Sequence, residues 1–186
     1  MITTASRRKK PETLARLWPD ATILDVTSRG PQPWVRFSPF FPHGNIPVPF
    51  MAQRTAQSVE GIWQALKVFE SEGVDASKLD NDTMRKLKRS ISRKRGAVKG
   101  HRTGLLGTTL LSYADARRQI YLPAYHWVLT HRLQDEVAEL KRLNAAGTVV
   151  LLDYETNCDL DDLSRPLSHA GLVAQYVRGE WPIEVQ

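Results

Sequence analysis

Val59, Ile62, Leu66 and Phe69 recur at three- and four-residue steps, which predicts an amphipathic helix from Ser58 to about Glu72, closed by Gly73. Ser58 is its expected N-cap, with Thr55 the alternative if the helix starts a turn earlier, and Glu60 in the first turn suits the helix dipole. A longer helix is expected from Pro123 to about Asn144, with Val128, Leu129, Leu133, Val137, Leu140 and Leu143 inward and Gly147 as its stop. TVVLLDY (148–154) and ATILDVTS (21–28) are dense in β-branched and apolar residues and predict strands.

Shorter features complete the outline. Pro11 opens a helix through Leu17, Trp34 to Phe37 reads as a strand, and Tyr113 to Gln119 as a short helix. A basic helix is expected from Asp82 to Arg93, burying Met84, Leu87 and Ile91 along a narrow face, followed by a loop punctuated by Gly96, Gly100 and Gly104. A last helix runs from about Leu167 to Val177, closed by Gly179. FSPFFPHGNIPVPF (37–50) holds too many prolines for a helix or central strand and is expected to be an ordered loop. With no internal repeat or low-complexity linker, the expectation is one α+β domain over 13–186, mainly helical with a small sheet, behind a flexible basic arm at 1–12.

Composition narrows the class. The 186 residues are 41% hydrophobic and 25% charged, as in an ordinary globular protein. The lone Cys158 cannot make an internal disulfide, and no apolar run approaches a membrane span, so a cytoplasmic protein without membrane contact is expected. The net charge of +6 is local: the run from Arg85 to Arg102 holds nine Lys or Arg and no carboxylate, while the remainder is slightly acidic. Such a patch suits a polyanion, either a nucleic acid or the pyrophosphate of a nucleotide. The five histidines and one cysteine are too scattered for a metal site, and neither a P-loop nor G-x-G-x-x-G occurs, so no metal or cofactor is expected.

At 100° per residue, Glu60, Gln64 and Lys67 fall within about 60° of one another on the first long helix, with Trp63 at the edge of that face. A solvated helix face has the same spacing. His43 and Gly44 can sit at the mouth of a site or in a solvated loop, and His101 and Arg102 can bind pyrophosphate or belong to a solvated basic loop.

Phe37, Ser38 and Phe40 of FSPF, followed by SVEGIWQALKVF (58–69), resemble the NADAR family of N-glycosidases, in which an FS-x-F segment precedes a helix reading S-E-H-Y-x-Q-A-x-K-F. Ser58 stands close to the family serine, and Glu60, Trp63, Gln64, Ala65 and Lys67 stand on its glutamate, aromatic, glutamine, alanine and lysine. Gly100 and Arg102 resemble a family Gly-Arg, and the likeness spans roughly 22–159. The family closes with Asp-x-x-Trp-Gly; this chain has Asp159 but no Trp-Gly, so the resemblance implies a divergent branch. It implies cleavage of a ribose C1–nitrogen bond in an ADP-ribosylated base or related nucleotide compound. Glu60 would stabilise the oxocarbenium-like transition state. Lys67 would hold a phosphate or, if desolvated, form a Schiff base with the opened sugar. Gln64 joins them in the catalytic set, and Phe37, Ser38, Phe40, His43, Gly44, Trp63, Gly100, His101, Arg102 and Asp159 form the substrate-binding set. The rival reading is a non-catalytic nucleic-acid-binding protein using 85–102.

Overall fold

A computed structural model describes residues 1–183. The fold is α+β, and the chain forms two compact units: a terminal unit of Met1–Ser38 with the described residues from Leu129 onward, and a central unit of Pro39–Val128.

The terminal unit is built on a parallel sheet in the order β1-β8-β2, formed by β1 (Ile2–Ser6), β2 (Thr22–Asp25) and β8 (Val149–Asp153). All five residues of β8 are buried, which explains the unbroken apolar run from Val149 to Leu152: a central parallel strand has no solvent face. α1 (Pro11–Leu17) places Leu14 against Ala5, Val150 and Leu152, with Trp18 and Ile23 at the edge of that cluster. The expected flexible arm is instead ordered. Ile2 pairs with Val149 and Ser6 with Asp153, because ITTAS supplies β-branched residues to an otherwise open edge of β8. Arg7 and Arg8 are also committed: Arg7 Nε donates to Asp25 at 2.7 Å, and Arg8 donates to the Tyr154 carbonyl at 2.9 Å.

The expected strand at Trp34 to Phe37 is a single 3-10 turn. The long helix predicted from Pro123 is two helices, α4 (Leu122–His131) and α5 (Gln134–Ala146), which part at Leu133, whose ψ of 23° leaves the helical range. α6 (His169–Arg178) is capped by Ser168, whose hydroxyl accepts from the Gly171 N–H, and closes on Gly179 at φ +77°.

His169 ties this unit together. Its Nδ1 lies 2.9 Å from Asp153 Oδ2, and its Nε2 lies 2.9 Å from the Val26 carbonyl oxygen. Both partners are acceptors, so both ring nitrogens must donate and the buried ring is an imidazolium. Burial alone would lower its pKa, but the Asp153 carboxylate and the Val26 carbonyl outweigh burial and raise it above 6.5. Burial likewise opposes ionisation of Asp153, yet His169 and the Ser168 hydroxyl hold its pKa below 3.8. A raised histidine contributes stability that is full below about pH 6.5 and lost as pH rises through the folded value. The lowered aspartate contributes above about pH 3.9, and that part is lost as pH falls through its folded value. The melting temperature of the wild type is therefore expected to fall on the alkaline side of pH 6.5 more than that of His169→Gln, measured by calorimetry across pH 5 to 9.

The central unit contains a short hairpin, β3 (Ile46–Pro47) with β4 (Thr55–Ala56), and an antiparallel sheet of β5 (Lys67–Phe69), β6 (Val98–Arg102) and β7 (Leu110–Leu111). α2 (Val59–Leu66) and α3 (Tyr113–Ala116) accompany them, and a wide π-type turn at Arg117–Tyr121 follows α3. The expected basic helix at Asp82 to Arg93 is irregular chain: Leu87 is buried, but Ile91 is 69% exposed, so the three-residue apolar face does not form. The expected glycine loop is largely β6, and Gly100 lies within it.

No helix among the described residues is long and apolar enough to cross a membrane. No group of three or more His, Cys, Asp or Glu among them is arranged to hold a metal ion.

Candidate functional site

α2 begins as its sequence suggests. Ser58 Oγ accepts from the Gly61 N–H at 3.0 Å, and the Glu60 N–H, one of the first-turn donors that a helix directs to acceptors outside itself, donates to the Pro39 carbonyl at 2.8 Å. The apolar stripe is buried as expected, but so is the polar one: Glu60 is 8% and Gln64 4% exposed. This face is therefore not solvated, and its carboxylate is held inside the protein.

The helix stops at Leu66, well short of the sequence expectation, and Lys67 adopts extended backbone at φ −66° and ψ 134°. Arg89 is the physical reason. Its buried guanidinium donates to the Gln64 carbonyl at 2.8 Å, to the Lys67 carbonyl at 2.7 Å and to the Gly73 carbonyl. These include acceptors that a continuing helix would have used itself. Val68 and Phe69, both strand formers, then pair with β6. Arg89 is anchored in turn by Glu72, Nη2 to Oε1 at 2.7 Å, and Glu72 also takes Arg95 Nε at 2.8 Å. Arg89→Met is expected to lower unfolding free energy by about 3 kcal/mol, because it leaves buried carbonyls unpaired and deprives Glu72 of its closest cation; urea denaturation measures this.

Gln64 has a partner at each end of its amide. Nε2 donates to Glu60 Oε1 at 2.8 Å, while Oε1 accepts the Arg89 backbone N–H at 2.8 Å. The Arg89 N–H fixes which end of the amide faces Glu60, so Gln64 orients the carboxylate and serves as a positioning residue. Lys67, which the sequence places beside Gln64 on a helix, instead lies in β5 directly across from His101 in β6. Burial lowers the Lys67 pKa below 10.5; Glu60 pulls it the other way, and the cations Arg89 and Lys88 reinforce the lowering. The Glu60 carboxylate and the Lys67 amine thus act on one another within a partly desolvated neighbourhood.

An aromatic cluster borders this pair. The half-buried Trp63 ring lies 3.7 Å from the His101 ring, 5.9 Å from Tyr113 and 5.8 Å from Tyr121, and Tyr121 stacks on Tyr125 at 6.0 Å. The buried Arg117, at the start of the π-type turn, places its guanidinium 4.4 Å from the Tyr113 ring and donates to the Tyr113 hydroxyl at 3.1 Å. π-type turns recur at functional sites. Tyr113, Arg117 and Tyr121 carry no spacing signal in the sequence that separates them from ordinary core residues.

Other residues anticipated from sequence have mixed placements. Phe40 carries the Lys88 ammonium 5.5 Å over its ring, and His43 packs at 4.9 Å against Phe41. Gly44 occupies a left-handed turn at φ +71°. Gly100, expected to let backbone approach a ligand, serves the sheet instead: at φ +151° a Cβ there would meet the Leu111 carbonyl oxygen at 2.3 Å. Arg102 is half-exposed, opposite Leu110 in the sheet. His101 is buried, so it does not lie in a solvated loop, and it is not a cation at neutral pH: burial, then Lys67 and Arg89, lower its pKa to about 3. Phe37, Ser38 and Asp159 belong to the terminal unit, where Phe37 and Ser38 are buried and Asp159 is exposed.

Of the nine cations of the basic run, Arg89, Arg95 and Lys99 are paired with Glu72 or Glu70, Arg102 is half-exposed in β6, and Arg85, Lys86, Lys88, Arg93 and Lys94 are exposed.

The fold is α+β, and its central unit holds a buried carboxylate and a partly desolvated amine beside an aromatic cluster. The model of DUF6939, a family of unknown function, matches residues 6–173, and the chain belongs to that family. No curated protein matches it.

Proposed function

We propose that the protein is an N-glycosidase that cleaves a ribose–nitrogen bond, with an ADP-ribosylated base or a related ribosylated nucleotide as substrate and Glu60 and Lys67 as its catalytic groups. The observation that carries this reading is the buried, Gln64-oriented Glu60 carboxylate acting on an amine whose pKa burial has lowered. A carboxylate held inside the protein is suited to a positive charge developing on a sugar ring, because a low dielectric strengthens the attraction and no solvent need reorganise. The similarity of SVEGIWQALKVF to the NADAR helix adds the reaction class.

In this reaction the C1′–N bond breaks and its electron pair leaves with the nitrogen, which takes up the proton that the Lys67 nitrogen sheds on bonding to C1′. Glu60 faces the electron-poor C1′. The neutral Lys67 amine adds to C1′, the ring opens to an imine, and water hydrolyses the imine to return the amine and the free sugar. Trp63 offers a partly exposed ring for the departing base to stack on. The exposed cations Arg85, Lys86, Lys88, Arg93 and Lys94 favour a polyanionic form of the substrate, so a base within a nucleic acid belongs among the candidates. The expected compartment is the cytoplasm.

The test is incubation with ADP-ribosylated nucleobases, nucleosides and nucleic acids, followed by mass spectrometry. Release of a free base or ribosylated product from one of these classes supports the reading, and an unchanged panel contradicts it.

A further inference from the structure

His101 is 1% exposed, and neither of its ring nitrogens has a hydrogen-bond partner among the described residues. Buried polar atoms are almost always paired, because each one left without a partner keeps the full desolvation cost of leaving water. If His101 only filled space under Trp63, a phenylalanine ring would do so without that cost. Its surroundings are those of the candidate site: Lys67 lies across the strand pair and the half-buried Trp63 ring lies over it at 3.7 Å.

We infer that His101 is a ligand-recognising residue of this site, covered by the Trp63 ring in the free protein and exposed to ligand when that ring moves aside, and that it binds an uncharged hydrogen-bonding group. A neutral His101 ring does not favour phosphate as its partner. With the pKa lowered to about 3 by burial, Lys67 and Arg89, the ring is neutral and presents one N–H and one lone pair. A sugar hydroxyl can donate to the lone pair or accept from the N–H, and the amide or carbonyl edge of a base offers the same chemistry. A phosphate would draw its main attraction from a charge that the ring does not carry. The inference rests on the ribose–nitrogen reading only for the identity of the ligand.

The experiment follows the His101 ring nitrogens by 15N NMR in the full-length protein. Free protein is expected to show a neutral ring that does not titrate between pH 5 and 8. ADP-ribose should shift one ring nitrogen, and pyrophosphate should shift neither. Ribose, adenine and nicotinamide, added separately, distinguish sugar from base as the source. In parallel, His101→Phe and His101→Leu are compared with wild type: at least one should melt at or above the wild-type temperature, since no protein partner is lost, and both should bind ADP-ribose at least tenfold more weakly. Ring nitrogens unmoved by every probe, movement with pyrophosphate alone, or both variants melting well below wild type would overturn the inference. If ADP-ribose shifts His101 but no N-glycosidic bond is cut, the recognition stands and the glycosidase reading falls. If the bond is cut but His101 never responds, the glycosidase reading stands and the recognition falls.

Discussion

Glu60→Gln is expected to lower turnover by about a thousandfold while leaving a folded protein. The substitution keeps shape and volume, and the amide oxygen can still accept the hydrogen bond that Gln64 Nε2 now donates to Glu60 Oε1 at 2.8 Å. The Ser58 cap and the Glu60 N–H bond to Pro39 do not involve the carboxylate, so helix α2 should be unaffected. What is removed is the negative charge that would face a cationic sugar. The loss should therefore appear in kcat rather than in KM, because that charge interacts more strongly with the transition state than with the uncharged ground-state ribose. Steady-state kinetics with circular dichroism as the fold control measures this. A folded variant with wild-type kcat removes Glu60 from the chemistry.

Lys67→Arg is expected to abolish turnover as completely, and it separates the two roles open to this side chain. A guanidinium keeps the positive charge and the reach to a phosphate but cannot form an imine. Burial lowers the Lys67 pKa, with Arg89 and Lys88 adding to the lowering against the pull of Glu60, so a larger fraction of the amine is neutral near physiological pH than for a solvated lysine. Activity should rise with pH through that lowered value and level off above it, because the neutral amine is the nucleophile. Borohydride added during turnover should trap a sugar adduct on Lys67, visible by intact-mass measurement. A highly active arginine variant with no adduct assigns Lys67 to phosphate binding and leaves the glycosidase reading in place.

Much of the architecture is legible in the sequence because local and tertiary preferences agree. Pro11 opens α1, the apolar run at β8 is buried throughout, and Ser168 and Gly179 bracket α6. Sequence and structure part where a distant group decides. The spacing of Leu66 and Phe69 fits a helix, while Val68 and Phe69 equally fit a strand; the choice is made by Arg89, far along the chain, which takes the carbonyls at the helix end. Nothing marks Arg89 among the nine cations of its run. The same holds for residues 1–6, whose strand character depends on an open edge of β8 at the far end of the chain. At the candidate site, Glu60 and Gln64 are legible from helical spacing, and their burial excludes the solvated-face alternative. Lys67 keeps the company of Glu60 through a different geometry, an extended strand paired with His101. The burial of His101 is hidden in the sequence because glycines on either side of it suggest a loop, whereas Gly100 is there to admit the β7 backbone.

Cleavage of the ribose–nitrogen bond is read most directly from the products. Wild type and Glu60→Gln are incubated side by side with each ADP-ribosylated base, and all species are quantified by mass spectrometry. Wild type is expected to yield two products, the free nitrogen base and ADP-ribose, whose masses together equal the substrate plus one water, and Glu60→Gln almost none. Substrate left intact by wild type, or cut at the pyrophosphate with the base still attached to ribose, would rule out the N-glycosidase reading.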